Sequence, residues 1–117
     1  MNQVTIYKIA TKTQWAKAEA IRIFNGAPID LADGYIHFST AAQTRETTAK
    51  HFAGQGDLLL VSVDETMLGD ALKYEVSRGD QLFPHLYGKL SLEAVTEVID
   101  MPLDDGGNHI FPTDFPQ

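Results

Sequence analysis

Four histidines, at positions 37, 51, 85 and 109, are the side chains of this 117-residue chain best suited to move protons near neutral pH. Two of them lie in stretches that gather other polar-tipped residues. In Gly34-Tyr35-Ile36-His37-Phe38-Ser39-Thr40, an extended backbone sends Ile36 and Phe38 to one face and Tyr35, His37 and Ser39 to the other. Ser39 or Thr40 then caps a helix, whose first N–H groups are unpaired and sit at the positive end of its dipole. An imidazole, a hydroxyl and backbone donors so converge where a phosphate, a carboxylate or a sugar hydroxyl would fit. The plainer account is an N-cap beside a half-buried histidine that donates to a backbone carbonyl.

The second stretch is Phe83-Pro84-His85-Leu86-Tyr87-Gly88. If extended, it puts Phe83, His85 and Tyr87 on one face, the wall of a pocket for a flat ring. Pro84 stiffens the approach and Gly88 admits a close neighbour. The competing account is an aromatic mini-core at a sheet edge. Nearby, Lys73 and Glu75 share a strand face, with Leu72, Tyr74 and Val76 on the other. Glu75 is the carboxylate available to hold a ribose hydroxyl or steady a developing cation. Otherwise the pair is a solvated face with a weak ion pair.

No metal site is expected. No two histidines stand at the i, i+4 spacing of a zinc motif, and Asp104-Asp105 lacks the spaced ligands of a calcium loop. There is no P-loop, no Gly-x-Gly-x-x-Gly and no Gly-x-Ser-x-Gly.

These residues need elements to hold them. Period-2 alternation over residues 4–9 predicts a strand, with Val4, Ile6 and Lys8 on one side. Thr11 and Gln14 form a capping box for a helix carrying Trp15, Ala18, Ile21, Arg22 and Phe24, stopped by Asn25-Gly26. Residues 28–34 read as a loop with two acids, and 35–38 as a short strand. Thr40 and Gln43 box a second helix with an apolar stripe of Ala41, Ala49 and Phe52, ended by Gly54. Residues 58–63 are apolar on both faces, which predicts a central strand. Residues 65–69 read as a turn or one helical turn, 72–77 as a strand and 78–80 as a turn. Residues 83–90 are broken by Pro84 and Gly88 and read as a loop or edge segment. One helical turn at 91–94 and a strand at 95–101 follow. From residue 102 to 117 the chain reads as an irregular tail pinned by Ile110, Phe111 and Phe115. The expected class is α+β, a mixed, mostly antiparallel sheet core with two main helices, in one domain over 1–117. Two short β-α-β steps allow some parallel neighbours.

Composition narrows the function. There is no cysteine, which excludes a disulfide scaffold, a thiol nucleophile and a thiolate metal site. Nine Lys and Arg against sixteen Asp and Glu give a net charge of -7, which opposes non-specific binding to nucleic acid or an anionic membrane. No apolar run approaches the ~20 residues of a membrane span. The expected setting is an unexported cytoplasmic protein, a monomer or weak dimer.

The chain resembles the small bacterial family known as domain of unknown function 952. The resemblance rests on Ile6-Tyr7-Lys8-Ile9, Trp15-Ala16-Lys17, Asp33-Gly34-Tyr35-Ile36-His37-Phe38-Ser39-Thr40 with Gln43, the strand at 58–63, Leu72-Lys73-Tyr74-Glu75 and Phe83-Pro84-His85-Leu86-Tyr87-Gly88. Tyr35 and Phe38 stand where the family more often looks like Phe and Leu, and Tyr74 where it often looks like Trp. That family is similar in fold to the ADP-ribosyltransferase-like superfamily, whose members bind NAD in a cleft between two small β-sheets. They typically use a His or Arg on an early strand, an aromatic or Ser, and often a Glu. The resemblance implies that His37 touches a ribose hydroxyl with Ser39 and Thr40 beside it. It implies His85 or Tyr87 for the second role and Glu75 or His85 for the third, with Tyr87 or Phe83 stacked on nicotinamide. The implied activity is binding of NAD, as a possible substrate, or of a related ribose-phosphate nucleotide, with ADP-ribosyl or glycosyl transfer.

Two other classes stay open. One is a phosphoesterase with paired His-x-Ser/Thr motifs, for which His37-Phe38-Ser39 is one copy and His85-Leu86-Tyr87 an imperfect second. The other is a non-catalytic small-ligand module.

Overall fold

The structure, a computed structural model, describes residues 4–116, with only the backbone of Arg78. Residues 1–3 of the N-terminal reading and residue 117 of the tail lie outside the described residues. The chain is α+β. Strand β1 (Thr5–Thr11) leads into α1 (Lys12–Ile21), β2 (Ile23–Phe24), α2 (Pro28–Asp33), β3 (Ile36–His37) and α3 (Ala41–His51). Strands β4 (Leu58–Asp64), β5 (Leu72–Val76), β6 (Leu82–Leu86), β7 (Leu90–Ser91) and β8 (Val95–Met101) follow. They form sheets in the orders β1-β4-β8, β2-β7 and β3-β6-β5. Every described pairing between these strands is antiparallel, so the parallel neighbours that the β-α-β steps allowed do not occur.

The apolar run at 58–63 becomes the centre of the first sheet for the reason its pattern gives. Val61 and Val63 enter one core with Ile6, Ala10, Trp15, Phe24, Ile36, Phe38, Leu86 and Leu90. Leu58 and Leu60 enter a second core on the other face with Tyr7, Ile9, Met101 and Phe115. Phe111 packs against this second core, whereas Ile110 is 47% exposed and does not pin the tail.

Four local readings need correction. Helix α1 opens on the Thr11–Gln14 capping box but ends at Arg22, whose φ of 62° is left-handed. Phe24 therefore leaves the helix and is buried from β2, while Ile21 is exposed. Residues 28–33 are a helix, not a loop. Pro28 stands in the first turn and Gly34, at φ 87°, closes the end as only a glycine does without strain. Of the apolar stripe expected on α3, Ala41 and Phe52 pack partly buried against the second core and Ala49 is exposed; the fully buried face is polar, made by Gln43, Thr44 and Thr48. Their polar groups are satisfied locally: each threonine hydroxyl donates to a carbonyl four residues back, and Gln43 Nε2 donates to Leu82 O at 2.8 Å.

The fourth concerns residues 83–90. Strand β6 is the centre of its sheet, not an edge or loop, and it contains Pro84. Proline cannot donate, yet the place is tolerated. The N and O of one strand residue face the same neighbour. Pro84 O accepts from Phe38 N–H at 3.0 Å, so the missing donor falls where the two-residue β3 has already ended. One residue on, Ser39 exchanges backbone bonds of 2.9 and 2.8 Å with Tyr7. The segment 36–39 thus pairs first with β6 and then with β1, joining the two three-stranded sheets.

Candidate functional site

The junction of those sheets carries the titratable cluster. His37 on β3 and His85 on β6 are register partners, and their rings meet edge to face with centroids 5.6 Å apart. Directly opposed residues on antiparallel strands project to one face, so the pairing itself brings the imidazoles together. Lys73 on β5 opposes His85 from the other side, and Glu75, two residues on, shares that face.

Each histidine has its own carboxylate. His85 Nδ1 lies 2.8 Å from Glu75 Oε1, and Tyr87 donates its hydroxyl to the same oxygen at 2.6 Å. These two bonds hold the Glu75 carboxyl below the usual range, so it is ionised at neutral pH. The reciprocal effect, led by the same bond, pushes the Tyr87 hydroxyl up to about 12. An ionised carboxylate only accepts, so His85 carries its proton on Nδ1. No hydrogen bond joins His85 Nε2 to another described residue, and the His85 side chain is only 3% exposed.

His37 is held more firmly. Its Nδ1 lies 2.6 Å from Asp30 Oδ1, which also accepts from the His37 backbone N–H at 3.1 Å. Asp30 Oδ2 accepts from Ala27 N–H at 2.7 Å. The ammonium of Lys8 lies 3.0 and 2.9 Å from the two oxygens, with both side chains almost fully buried. Burial alone would raise the Asp30 carboxyl, but the His37 hydrogen bond and the Lys8 charge outweigh it and hold it at about 2. Burial pulls the Lys8 ammonium down against the opposing pull of Asp30. On its outer side, His37 Nε2 lies 2.9 Å from Asp33 Oδ2, an exposed carboxylate.

Tyr35 covers the pair. Its ring stacks on His85 at 4.1 Å and 25°, and lies 4.7 Å from His37 and 5.2 Å from Tyr87. Partial burial first, then the charges of Asp33 and Glu75, raise its hydroxyl.

Of the residues singled out by sequence, His37, His85, Glu75 and Tyr87 come together. Three do not join them. Ser39 is buried and donates its hydroxyl to Thr47 at 3.0 Å, because the segment has turned toward β1 and α3. Thr40 serves as the N-cap of α3, its N–H bonded to Gln43 Oε1 at 3.0 Å. Phe83 opposes Glu75 in register but is buried. His51 is exposed on α3, and His109 donates from Nε2 to Gln55 O at 2.8 Å in the tail. Among the described residues no group of three or more His, Asp or Glu is arranged to hold a metal ion.

Sequence reasoning missed Asp30, Asp33 and Lys8 as parts of this cluster. The signals were there. Pro28 followed at 34 by Gly is the start and stop of a short helix, which puts both acids near one another one turn apart. Lys8 is a lone charge on the core face of β1, between Ile6 and Ala10.

A family profile for proteins of unknown function, DUF952, matches residues 9–98. The chain belongs to the DUF952 family. The matched span includes every member of the cluster except Lys8. The crystal structure of protein CC0527 from Caulobacter crescentus is 45% identical to this DUF952 chain, with a TM-score of 0.87 over 91% of it and 93% of CC0527. The solution NMR structure of CC0527 is 46% identical, with a TM-score of 0.80 over 89% and 90%. No curated protein matches the chain. Neither the family description nor the CC0527 structures carry a link to ADP-ribosyltransferases. Among the described residues no helix is long and apolar enough to cross a membrane.

Proposed function

We propose that this DUF952 domain binds the ribose of a nucleotide at the His37–His85 pair, with NAD the first candidate, and cleaves or transfers at the nicotinamide–ribose bond. One observation carries the reading: an ionised, partly exposed Glu75 carboxylate is bonded to the buried His85, whose ring meets that of His37 edge to face at 5.6 Å. The cluster is rich in acceptors, with the partly exposed carboxylates of Asp33 and Glu75 at its surface, so it suits hydroxyl groups or a developing positive charge. It disfavours a phosphodiester seated directly on the histidines.

In the reaction the bond from ribose C1′ to the nicotinamide nitrogen breaks, and its electron pair leaves with nicotinamide. Glu75 stabilises the cation-like carbon. An acceptor oxygen, of water in the simplest case, forms the new bond to C1′ and gives its proton to His85 Nε2. His37 orients the ribose, and Tyr35 or Tyr87 offers a ring for the nicotinamide to stack on. Phe83, expected to share that role, is buried. The phosphoesterase reading needs the Ser39 hydroxyl beside His37, and that hydroxyl is bonded to Thr47.

The test is an NMR titration of the labelled protein with NAD, following the four histidine rings. Saturable shifts at His37 and His85, with His51 and His109 still, support one shared nucleotide site and lead to an assay for nicotinamide release. No shift at millimolar NAD overturns the NAD reading. Shifts with a 2′,3′-cyclic nucleotide instead favour phosphoester chemistry.

A further inference from the structure

Lys8 and Asp30 form a buried ion pair in a small domain, with side chains 6% and 1% exposed. Taking two charges out of water is costly, and well-packed apolar residues of the same volume usually serve a core as well or better. Packing therefore does not explain the pair; its contacts with His37 do. A carboxylate on the surface follows whatever ring approaches it. Asp30 cannot follow, because Ala27 N–H holds Oδ2 at 2.7 Å and the ammonium of Lys8 reaches over from β1 to both oxygens. The fixed Oδ1 then meets His37 twice, at its backbone N–H and at Nδ1. The backbone of residue 37 and its ring are so referred to one buried point.

We infer that Asp30, clamped by Lys8 and Ala27, is the positioning residue of the site: it keeps the His37 proton on Nδ1 and aims Nε2 at the ligand. This rests on the reading of His37 as a ribose contact. The second carboxylate on His37 behaves differently. Asp33 is exposed and bonds Nε2, which an acceptor does only while that nitrogen also carries a proton, so in the neutral Nδ1–H ring Asp33 gives way and its place is open to a ligand hydroxyl. Asp30 is the permanent partner of the ring and Asp33 the exchangeable one. The tautomer of a histidine is set by the hydrogen bond that its other nitrogen makes, and at metal-bound histidines the loss of such an outer partner costs tenfold or more in affinity or activity.

Asp30→Asn alone leaves the Lys8 ammonium buried without a counter-charge and is at risk of unfolding. The Lys8→Met/Asp30→Asn double variant removes both charges and is the one to use, with a thermal melt to establish that it is folded. Proton–nitrogen correlation spectra of the imidazole rings, recorded at a pH where the rings are neutral, report the tautomer without any ligand. Wild type is expected to show His37 with its proton on Nδ1, and the double variant a mixture of both tautomers. The His85 ring signals stay in place, and NAD affinity falls about tenfold or more. A pure Nδ1–H tautomer in the double variant, or unchanged NAD affinity despite a mixed tautomer, overturns the inference. If wild type itself does not bind NAD, the ribose reading fails, and the tautomer comparison still decides whether Asp30 positions the ring.

Discussion

His37 and His85 face each other across the β3–β6 ladder, ring edge to ring face at 5.6 Å, each tied through Nδ1 to a different carboxylate. Asp30 behind His37 is buried and balanced by Lys8. Glu75 behind His85 is partly exposed and balanced chiefly by hydrogen bonds from Tyr87 and His85, with a smaller contribution from the charge of Lys73. The two halves of the cluster are therefore unequal. One is built to hold a ring still, and the other presents a charge to solvent.

His37→Ala is expected to abolish NAD-induced shifts at His85 while leaving the protein folded. The Asp30 carboxylate keeps Lys8, Ala27 N–H and the backbone N–H of residue 37, so no buried charge is left unpaired. The measurement is the histidine titration repeated on the variant beside a melting curve. An affinity equal to wild type in a folded variant removes His37 from the site.

Glu75→Gln separates binding from chemistry. Glutamine keeps an acceptor for Tyr87 and His85 but carries no charge. NAD binding should change by no more than a few-fold, whereas nicotinamide release should fall by a factor of about a hundred or more, the scale for loss of a transition-state electrostatic contact. Equal losses in binding and turnover would show that Glu75 acts on the ground state.

Ser39→Ala tests the part of the motif that the fold turns away. The Ser39 hydroxyl bonds only Thr47 within the described structure, so its removal should cost about 0.5–1.5 kcal/mol of stability by chemical denaturation. Ligand shifts at His37 and His85 should not change. Loss of those shifts would restore Ser39 to the site.

Acid should weaken the fold through Asp30. Its carboxyl lies at about 2 in the folded protein against an ordinary 3.8, so the folded state favours the ionised form. That contribution is complete above pH 3.8 and is lost as the pH falls through about 2, an effect of about 2 kcal/mol. Denaturation at a series of pH values across this window should show the fall. Lys8→Met/Asp30→Asn should flatten it, and a parallel fall in the double variant would assign the acid sensitivity to other carboxylates.

Much of the molecule was legible before any fold was known. The capping boxes at Thr11–Gln14 and Thr40–Gln43 mark both longer helices at their starts, because a cap is a local bond between near neighbours. The two-sided apolar run at 58–63 reads as a central strand, and it is the centre of the β1-β4-β8 sheet. His37, His85, Glu75 and Tyr87 stood out as polar-tipped residues at strand spacing. What the sequence by itself determined is thus the local order and the residue types of the cluster.

Tertiary structure decided who meets whom. Strand β6 takes the centre of its sheet in spite of Pro84 because its missing donor falls beyond the end of the short β3, a fact of register that no local pattern contains. Ser39 leaves the site because its segment changes partners from β6 to β1 within two residues. Lys8 can be buried only because Asp30 arrives beside it from another element 22 residues away. Local preferences are energies of neighbours along the chain, whereas a buried charge is tolerable only when a counter-charge meets it in space. The pairing that builds this site belongs to that second kind.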